Sequence, residues 1–424
     1  MTILIKKARV IDPTQKLDRI SDIFIEDGRI KKLAASINEK ADTTIDGSDC
    51  IAAPGFIDMH VHFRDPGFEY KEDIYSGAEA ALKGGFTSVA CMANTKPVID
   101  TPELVKYITD KAADTHVHVY PVAAMTKGLK GEELVDIKAL KEAGAIAVSD
   151  DGRPVENSKL MLDVLKAADA NNILSIAHSE DLDLVDGGVI NEGRVSYEYG
   201  LRGMSRMAEY MAVMRDVMLS LPKKNRLHIA HVSCKESVEA VRWAKKINPN
   251  ITCETAPHYV SLTENAVVKF GVNAKMNPPL RTEEDIDAVI EGLRDGTIDV
   301  IATDHAPHSV EDKGELKKGA FGIVGLETAL PVCYTYLVAA GKMSIRKLIR
   351  LMSTNPAAIL GIEGGSLTTG SRADIVLFDT EEYKVNKSSF ASKSKNTPFD
   401  GMTLRGRVLC TISNGEVVYK SDFI

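Results

Sequence analysis

No apolar run in the chain approaches the roughly 20 residues needed to cross a bilayer, so no membrane helix is expected. The N-terminal Met1-Thr-Ile-Leu-Ile-Lys-Lys is too short in its apolar part for a secretory signal and leads straight into strand-like sequence. There is no Cys-x-x-Cys pair either. The six cysteines, at positions 50, 91, 234, 253, 333 and 410, are scattered through 424 residues. Scattered thiols in so long a chain fit a reducing compartment better than a disulfide framework, and the expected location is the cytoplasm. A basic surplus is also missing: the net charge of −8 advertises no face for nucleic acid. No Gly-x-Gly-x-x-Gly follows a strand-like run, which weakens a dinucleotide-binding open sheet.

What remains is an ordinary soluble composition, 44% apolar and 26% charged, in a length that fits one large α/β barrel plus an appendage. The two ends resemble each other. Ser21–Ile30 reads as two short strands joined at Asp27-Gly28, and Val408–Tyr419 reads the same way around Asn414-Gly415. Asx-Gly between β-rich runs is a hairpin signal, because both turn positions need positive φ. With a further strand at Ala373–Phe378, the economical reading is one small β-sandwich domain built from residues 1–54 and 365–424.

The middle, 55–364, alternates β-rich runs with amphipathic helical stretches. The runs are Gly55–Phe63, Phe86–Met92, His116–Ala124, Ala145–Ser149, Ile173–His178, Arg226–Val232, Ile251–Pro257 and Val300–Thr303. Between them lie helix-like segments such as Glu72–Lys83, Glu132–Ala143, Lys159–Ala170, Glu236–Lys246 and Glu283–Leu293. Eight strands alternating with helices predict a (β/α)8 TIM barrel; a doubly wound open sheet is the alternative.

A barrel demands functional groups at the C-terminal ends of its strands. Five of the eight runs end in such groups: His60-Val-His62, Ser149-Asp150-Asp151-Gly152, Ala177-His178-Ser179-Glu180, Ala230-His231 and Ala302-Thr303-Asp304-His305. Residues two apart on a strand share a face, so His60 and His62 can converge on one ion. A lone histidine at a strand end is more often a satisfied surface or core residue; His178, His231 and Asp304 on other strands give the pair its meaning. Of Asp150 and Asp151, parity with Ala147 and Ser149 favours Asp151. His116, His118 and His228, with mid-strand or opposite-parity positions, are read as packing or helix-facing, and His258 and His305 stay undecided.

Asp58-Met-His-Val-His-Phe-Arg-Asp-Pro-Gly67, Ser149–Gly152, Ala177–Glu180 and Ala302-Thr-Asp-His-Ala-Pro-His308 together resemble the bacterial-type dihydroorotase family of the amidohydrolase superfamily, over nearly the whole chain. That resemblance implies two Zn2+ per subunit, one held by His60 and His62 and the other by His178 and His231, bridged by Asp151 and a hydroxide. It makes Asp304 both a ligand and the catalytic proton carrier. The carboxylated lysine that many relatives carry on strand four has no counterpart in Ala145–Gly152, in keeping with the branch that uses an aspartate. The implied substrate is a small cyclic ureide bearing a carboxylate, for which Arg64, two residues past His62, is the expected bidentate partner. His62, Asn94, Asn277, His308 and the Phe321-Gly322 backbone match further substrate contacts.

The implied reaction is reversible hydrolysis of L-dihydroorotate to N-carbamoyl-L-aspartate in pyrimidine biosynthesis; a sister cyclic amidase or a non-catalytic scaffold are the alternatives. A homodimer is expected by base rate, and some relatives associate with aspartate transcarbamoylase. The charged stretch Ser309–Gly319 is expected as a solvated loop or one that closes over the site. Ser205 stands where a proline is expected.

Overall fold

The computed structural model describes residues 1–424. Eight parallel strands follow one another in chain order: Phe56–Val61, Phe86–Cys91, His118–Ala123, Ala147–Val148, Leu174–Ala177, Leu227–Ile229, Ile251–Thr255 and Val300–Ile301. Each expected run contains one of them, trimmed at its ends. The first and last meet through a parallel bridge between Val61 and His305, where the His62 backbone N–H donates to the His305 carbonyl at 2.8 Å. Asp58 ties the same seam, accepting from the backbone N–H groups of His60 at 3.0 Å and Thr303 at 3.1 Å. The result is a (β/α)8 barrel, not an open doubly wound sheet.

Helices cover its outer face, and their starts follow capping chemistry. Asp73 accepts from the Ser76 N–H to begin Ile74–Lys83, and Asn157 caps Ser158–Ala170. The helix expected from Glu132 begins only at Ile137, because a bridge between Thr126 and Leu134 keeps the preceding residues extended. Ser205 opens the helix Arg206–Ser220, its hydroxyl accepting from the Met207 N–H at 3.3 Å. A proline side chain could not accept that bond.

Inside the barrel, Ile57, Met59, Ala147, Leu174, Ile176, Val300 and Ala302 pack with Ala357 and Leu360 of the helix Asn355–Leu360. The same-parity positions at the mouth end of these strands are Asp151, His178 and Asp304. The first strand departs from simple alternation. A register shift between Asp58 and Val61 breaks the pattern set by Ile57 and Met59 and re-aims His60 toward the centre.

Both chain ends contribute to a second sheet. Its order is Glu416–Lys420, Val408–Ser413, Ile375–Phe378, Ile51–Pro54, Thr2–Asp12, Leu17–Glu26, Arg29–Ala34, with Thr43–Asp46 also pairing with Thr2–Asp12. The hairpin turns hold Asp27 and Gly28 at φ 52° and 74°, and Asn414 and Gly415 at 51° and 76°. These two turns pack on each other so closely that a Cβ on Gly28 would lie 2.9 Å from the Asn414 carbonyl oxygen. Residues 382–405 leave the sheet. Glu382–Lys384 pairs with Thr403–Arg405, and Phe399 and Leu404 pack with Tyr259 and Ile323 of the barrel, which carries Asn396 to the barrel mouth.

Candidate active site

Asp151 lies at the centre of the mouth. Its Oδ1 is 3.3 Å from His60 Nε2, 3.2 Å from His178 Nδ1 and 3.5 Å from His231 Nε2, while Oδ2 is 3.4 Å from His62 Nε2. Asp304 Oδ1 stands 3.1 Å from His62 Nε2 and 3.7 Å from His60 Nε2. All six side chains are buried. Two overlapping groups, His60/His62/Asp151 and Asp151/His178/His231, each bring one ligand atom per residue within 4.8 Å of the others.

The arrangement calls for cations. His178 Nδ1 and His231 Nε2 face each other at 2.8 Å, and His60 Nε2 is buried without a hydrogen-bond partner. Facing lone pairs in a dry space repel unless a proton or a metal ion lies among them. Imidazole nitrogens and carboxylates are also the donor set that divalent metals take. Burial opposes charge on every group, yet Asp151 and Glu254 lift the His60 pKa well above its ordinary value. His178 is pushed up to about 10, its burial outweighed by Asp151 and Glu180. The Asp151 carboxyl is held well below its usual range, against burial, by His60 and the neighbouring imidazoles. Without metal these carboxylates favour a proton on His60 and on His178, which metal binding would displace, whereas burial holds the His62 pKa below its ordinary value.

A second layer fixes the ring orientations. His60 Nδ1 bonds Glu254 Oε1 at 2.7 Å, and Glu254 Oε2 in turn meets His228 Nε2 at 3.1 Å. His62 Nδ1 bonds Asn94 Oδ1 at 2.8 Å, and His178 Nε2 lies 3.3 Å from Glu180 Oε2. Sequence reasoning missed Glu254; its signal was a carboxylate within the predicted barrel strand Ile251–Pro257, where burial is allowed only with partners. Of the two roles expected for His228, packing or helix-facing, the structure has the first: it is fully buried and faces Glu254 in the barrel interior, because His231, against which its parity was judged, has φ 35° and breaks the alternation.

Asp150 stays outside the cluster, accepting from the Met125 and Thr126 backbone N–H groups and the Thr126 hydroxyl. His305 is structural: its Nδ1 accepts from the Gly325 N–H at 3.1 Å, and Nε2 lies 3.5 Å from Glu72. His258 is buried, and that burial lowers its pKa to about 4. His118 and His116 are not helix-facing: they lie 3.5 Å from Asp374 and 3.7 Å from Glu416, toward the second sheet.

Arg64 reaches the mouth by a turn, not by strand parity. The strand ends at Val61, and Arg64 adopts φ 61°. Its Nε donates to the Pro307 carbonyl at 3.1 Å and its Nη2 to His308 Nε2 at 3.1 Å. Burial, then the Arg64 charge, hold His308 below its ordinary pKa, so it is a neutral acceptor. Asp304, at φ 50°, joins Arg64 and His231 as the third residue lining this site that lies in the left-handed region without being glycine, a conformation costing about 1–2 kcal/mol. Such backbone clusters where side chains are held for function.

These residues surround a cavity of about 210 Å³. Every residue expected at the site lines it, including Asn94, Asn277, His308, Phe321 and Gly322, except His60, which lies fully buried beneath. Asn277 Nδ2 donates to Glu180 at 3.1 Å, leaving its buried Oδ1 unpartnered.

A (β/α)8 barrel whose strand ends carry buried histidines and aspartates defines an amidohydrolase. The chain matches the dihydro-orotase-like family model over residues 50–237 and the amidohydrolase family model over 237–419. It is 50% identical to a dihydroorotase of Ruminiclostridium cellulolyticum, over 100% of both chains, and 52% identical to one of Geobacter metallireducens, over 99% of this chain and 100% of that one. Among solved structures it resembles an L-hydantoinase (dihydropyrimidinase) from Arthrobacter aurescens, with a TM-score of 0.89, 26% identity, and 99% and 96% coverage. A dihydropyrimidinase from Brevibacillus agri shares the fold, with a TM-score of 0.85, 21% identity, and 99% and 95% coverage. The chain belongs to the dihydroorotase family, hydrolases that act on cyclic amide bonds.

Proposed function

We propose that the chain interconverts L-dihydroorotate and N-carbamoyl-L-aspartate with two zinc ions per subunit, one at His60 and His62, one at His178 and His231, with Asp151 between them. The observation that carries the reading is the meeting, in one cavity, of this donor set with Arg64, a cation suited to a substrate carboxylate. When bound, the ions supply Lewis-acid polarisation of the scissile carbonyl and acidify the attacking water.

The chain's own residues do the rest. Arg64, with Asn94, Asn277, His308 and the Phe321-Gly322 backbone, holds the ring. Asp304 Oδ1 accepts a proton as the water oxygen bonds to the ring carbonyl carbon, and returns it to the ring nitrogen as the C–N bond breaks. Ring closure runs the same steps backward. The Asp304 carboxyl suits this use: burial opposes its charge, but His62 and the neighbouring imidazoles keep it below its ordinary pKa, so it starts as an acceptor.

The fold is also that of hydantoinases, which favours a sister cyclic amidase as the second reading; Arg64 and the absence of lysine from Ala145–Gly152 weigh against it. Hydrolysis of dihydroorotate, hydantoin and dihydrouracil by one preparation of known metal content separates the two. Asp304→Asn should keep its metal and lose about 10²–10⁴-fold in kcat; undiminished turnover would remove Asp304 from its role. We further infer residues 1–54 and 365–424 as one domain and 55–364 as the other, and a homodimer on the base rate of two-fold assemblies. The resemblance adds association with aspartate transcarbamoylase, and six unpaired buried thiols support a cytoplasmic setting.

A further inference from the structure

Lys313 ends the short helix Val310–Lys313 and is only 4% exposed. Its ammonium donates to three backbone carbonyls: Ala320 and Gly322 at 2.8 Å each, and Lys275 at 3.3 Å. An ammonium has three N–H bonds, and all three are used. Neutral acceptors alone surround it, and burial with the like charge of Lys275 pushes its pKa down to about 7. A methionine of similar reach would fill the space without the cost of burying a charge.

The three carbonyls belong to two segments that wall the cavity. Lys275 lies two residues before Asn277, and Ala320 and Gly322 flank Phe321. The segments are also bound directly, Gly322 N–H donating to the Lys275 carbonyl at 2.9 Å, and Lys275 Nζ lies 4.3 Å from the Phe321 ring centre. On its other side Lys313 is part of the 309–319 stretch, whose Asp312 carbonyl accepts from the Ala320 N–H at 2.9 Å. Lys313 is therefore where that stretch and both wall segments are joined.

We propose that Lys313 is a positioning residue for substrate binding: its three N–H bonds clamp the 275–277 and 320–322 backbones into the wall that receives the carboxylate-bearing ring. The inference rests on the reading of Asn277, Phe321 and Gly322 as substrate contacts. The imidazole cluster hangs from other strand ends, so loss of the clamp should loosen substrate binding and leave the chemical step in place.

The test is steady-state kinetics of the full-length, metal-loaded enzyme with L-dihydroorotate. Lys313→Met should raise KM about tenfold while kcat stays within about threefold and metal content is unchanged. Lys313→Gln, which keeps two N–H donors, should raise KM less; it replaces the methionine variant if that one does not fold. An active wild type with KM unaltered in the folded variant, or a fall in kcat at constant KM, overturns the clamp alone. A wild type that does not turn over dihydroorotate removes the functional reading beneath it.

Discussion

On one side of the cavity, imidazoles and carboxylates sit at or beside strand ends, and His60, His62 and His178 are each gripped from behind by Glu254, Asn94 or Glu180. On the other side Arg64 and His308 lie on irregular backbone, tied to a carbonyl and to each other. The first half has a carboxylate for nearly every ring. The second has cations without counter-ions, Arg64 in the wall and Lys313 behind it. On the proposed reading the contrast separates two tasks: the first half would fix cations for amide cleavage, and the second would offer positive charge that a substrate carboxylate can complete.

If that division is right, Arg64→Met should have the largest effect on substrate handling. Losing a bidentate charged pair should lower kcat/KM on the order of 100-fold, mainly through KM, with metal content unchanged. An unaltered KM would show that the cationic half does not bind the substrate. Glu254→Gln should do the opposite. With the carboxylate behind His60 replaced by an amide, metal affinity should fall about 10–100-fold, while KM of the fully loaded enzyme stays put. Chelator competition measures it, and an affinity within about twofold of wild type would sever Glu254 from the cluster.

The two halves were also unequally legible in the sequence. His60, His62, Asp151, His178, His231 and Asp304 could be read because a barrel puts function at strand ends, and strands announce themselves by local pattern. Where the backbone departs from the pattern, as at the bulge before Val61 and at His231 with φ 35°, parity loses its meaning, and it could not choose between packing and a helix-facing role for His228. The cationic half depends on contacts between residues far apart in the chain. Arg64 meets Pro307 and His308 across more than 240 positions, and Asn396 arrives from a segment that looked like part of the terminal domain. Asx-Gly turns foretold both hairpins, but nothing local foretold that Gly28 and Asn414 would touch.

Asn94 decides how sharp the boundary is. Resemblance puts it among the substrate contacts, yet its Oδ1 is on His62 Nδ1 at 2.8 Å, and its Nδ2 reaches only the Asp151 carbonyl, at 3.4 Å. An oxygen accepting from Nδ1–H fixes the His62 tautomer with Nε2 free toward the cluster, a service to the first half. The amide also lines the cavity and could turn an N–H toward a ring oxygen, a service to the second. Asn94→Ala should therefore give the smallest effect, a few-fold, and its character carries the information. A drop in metal affinity with KM unchanged places Asn94 behind His62 alone. A rise in KM at full metal loading places it with Arg64. If both move together, one side chain couples the two halves, and the substrate would then bind more tightly to the loaded enzyme than to the metal-free one by the same factor that it tightens the metal, as linkage requires.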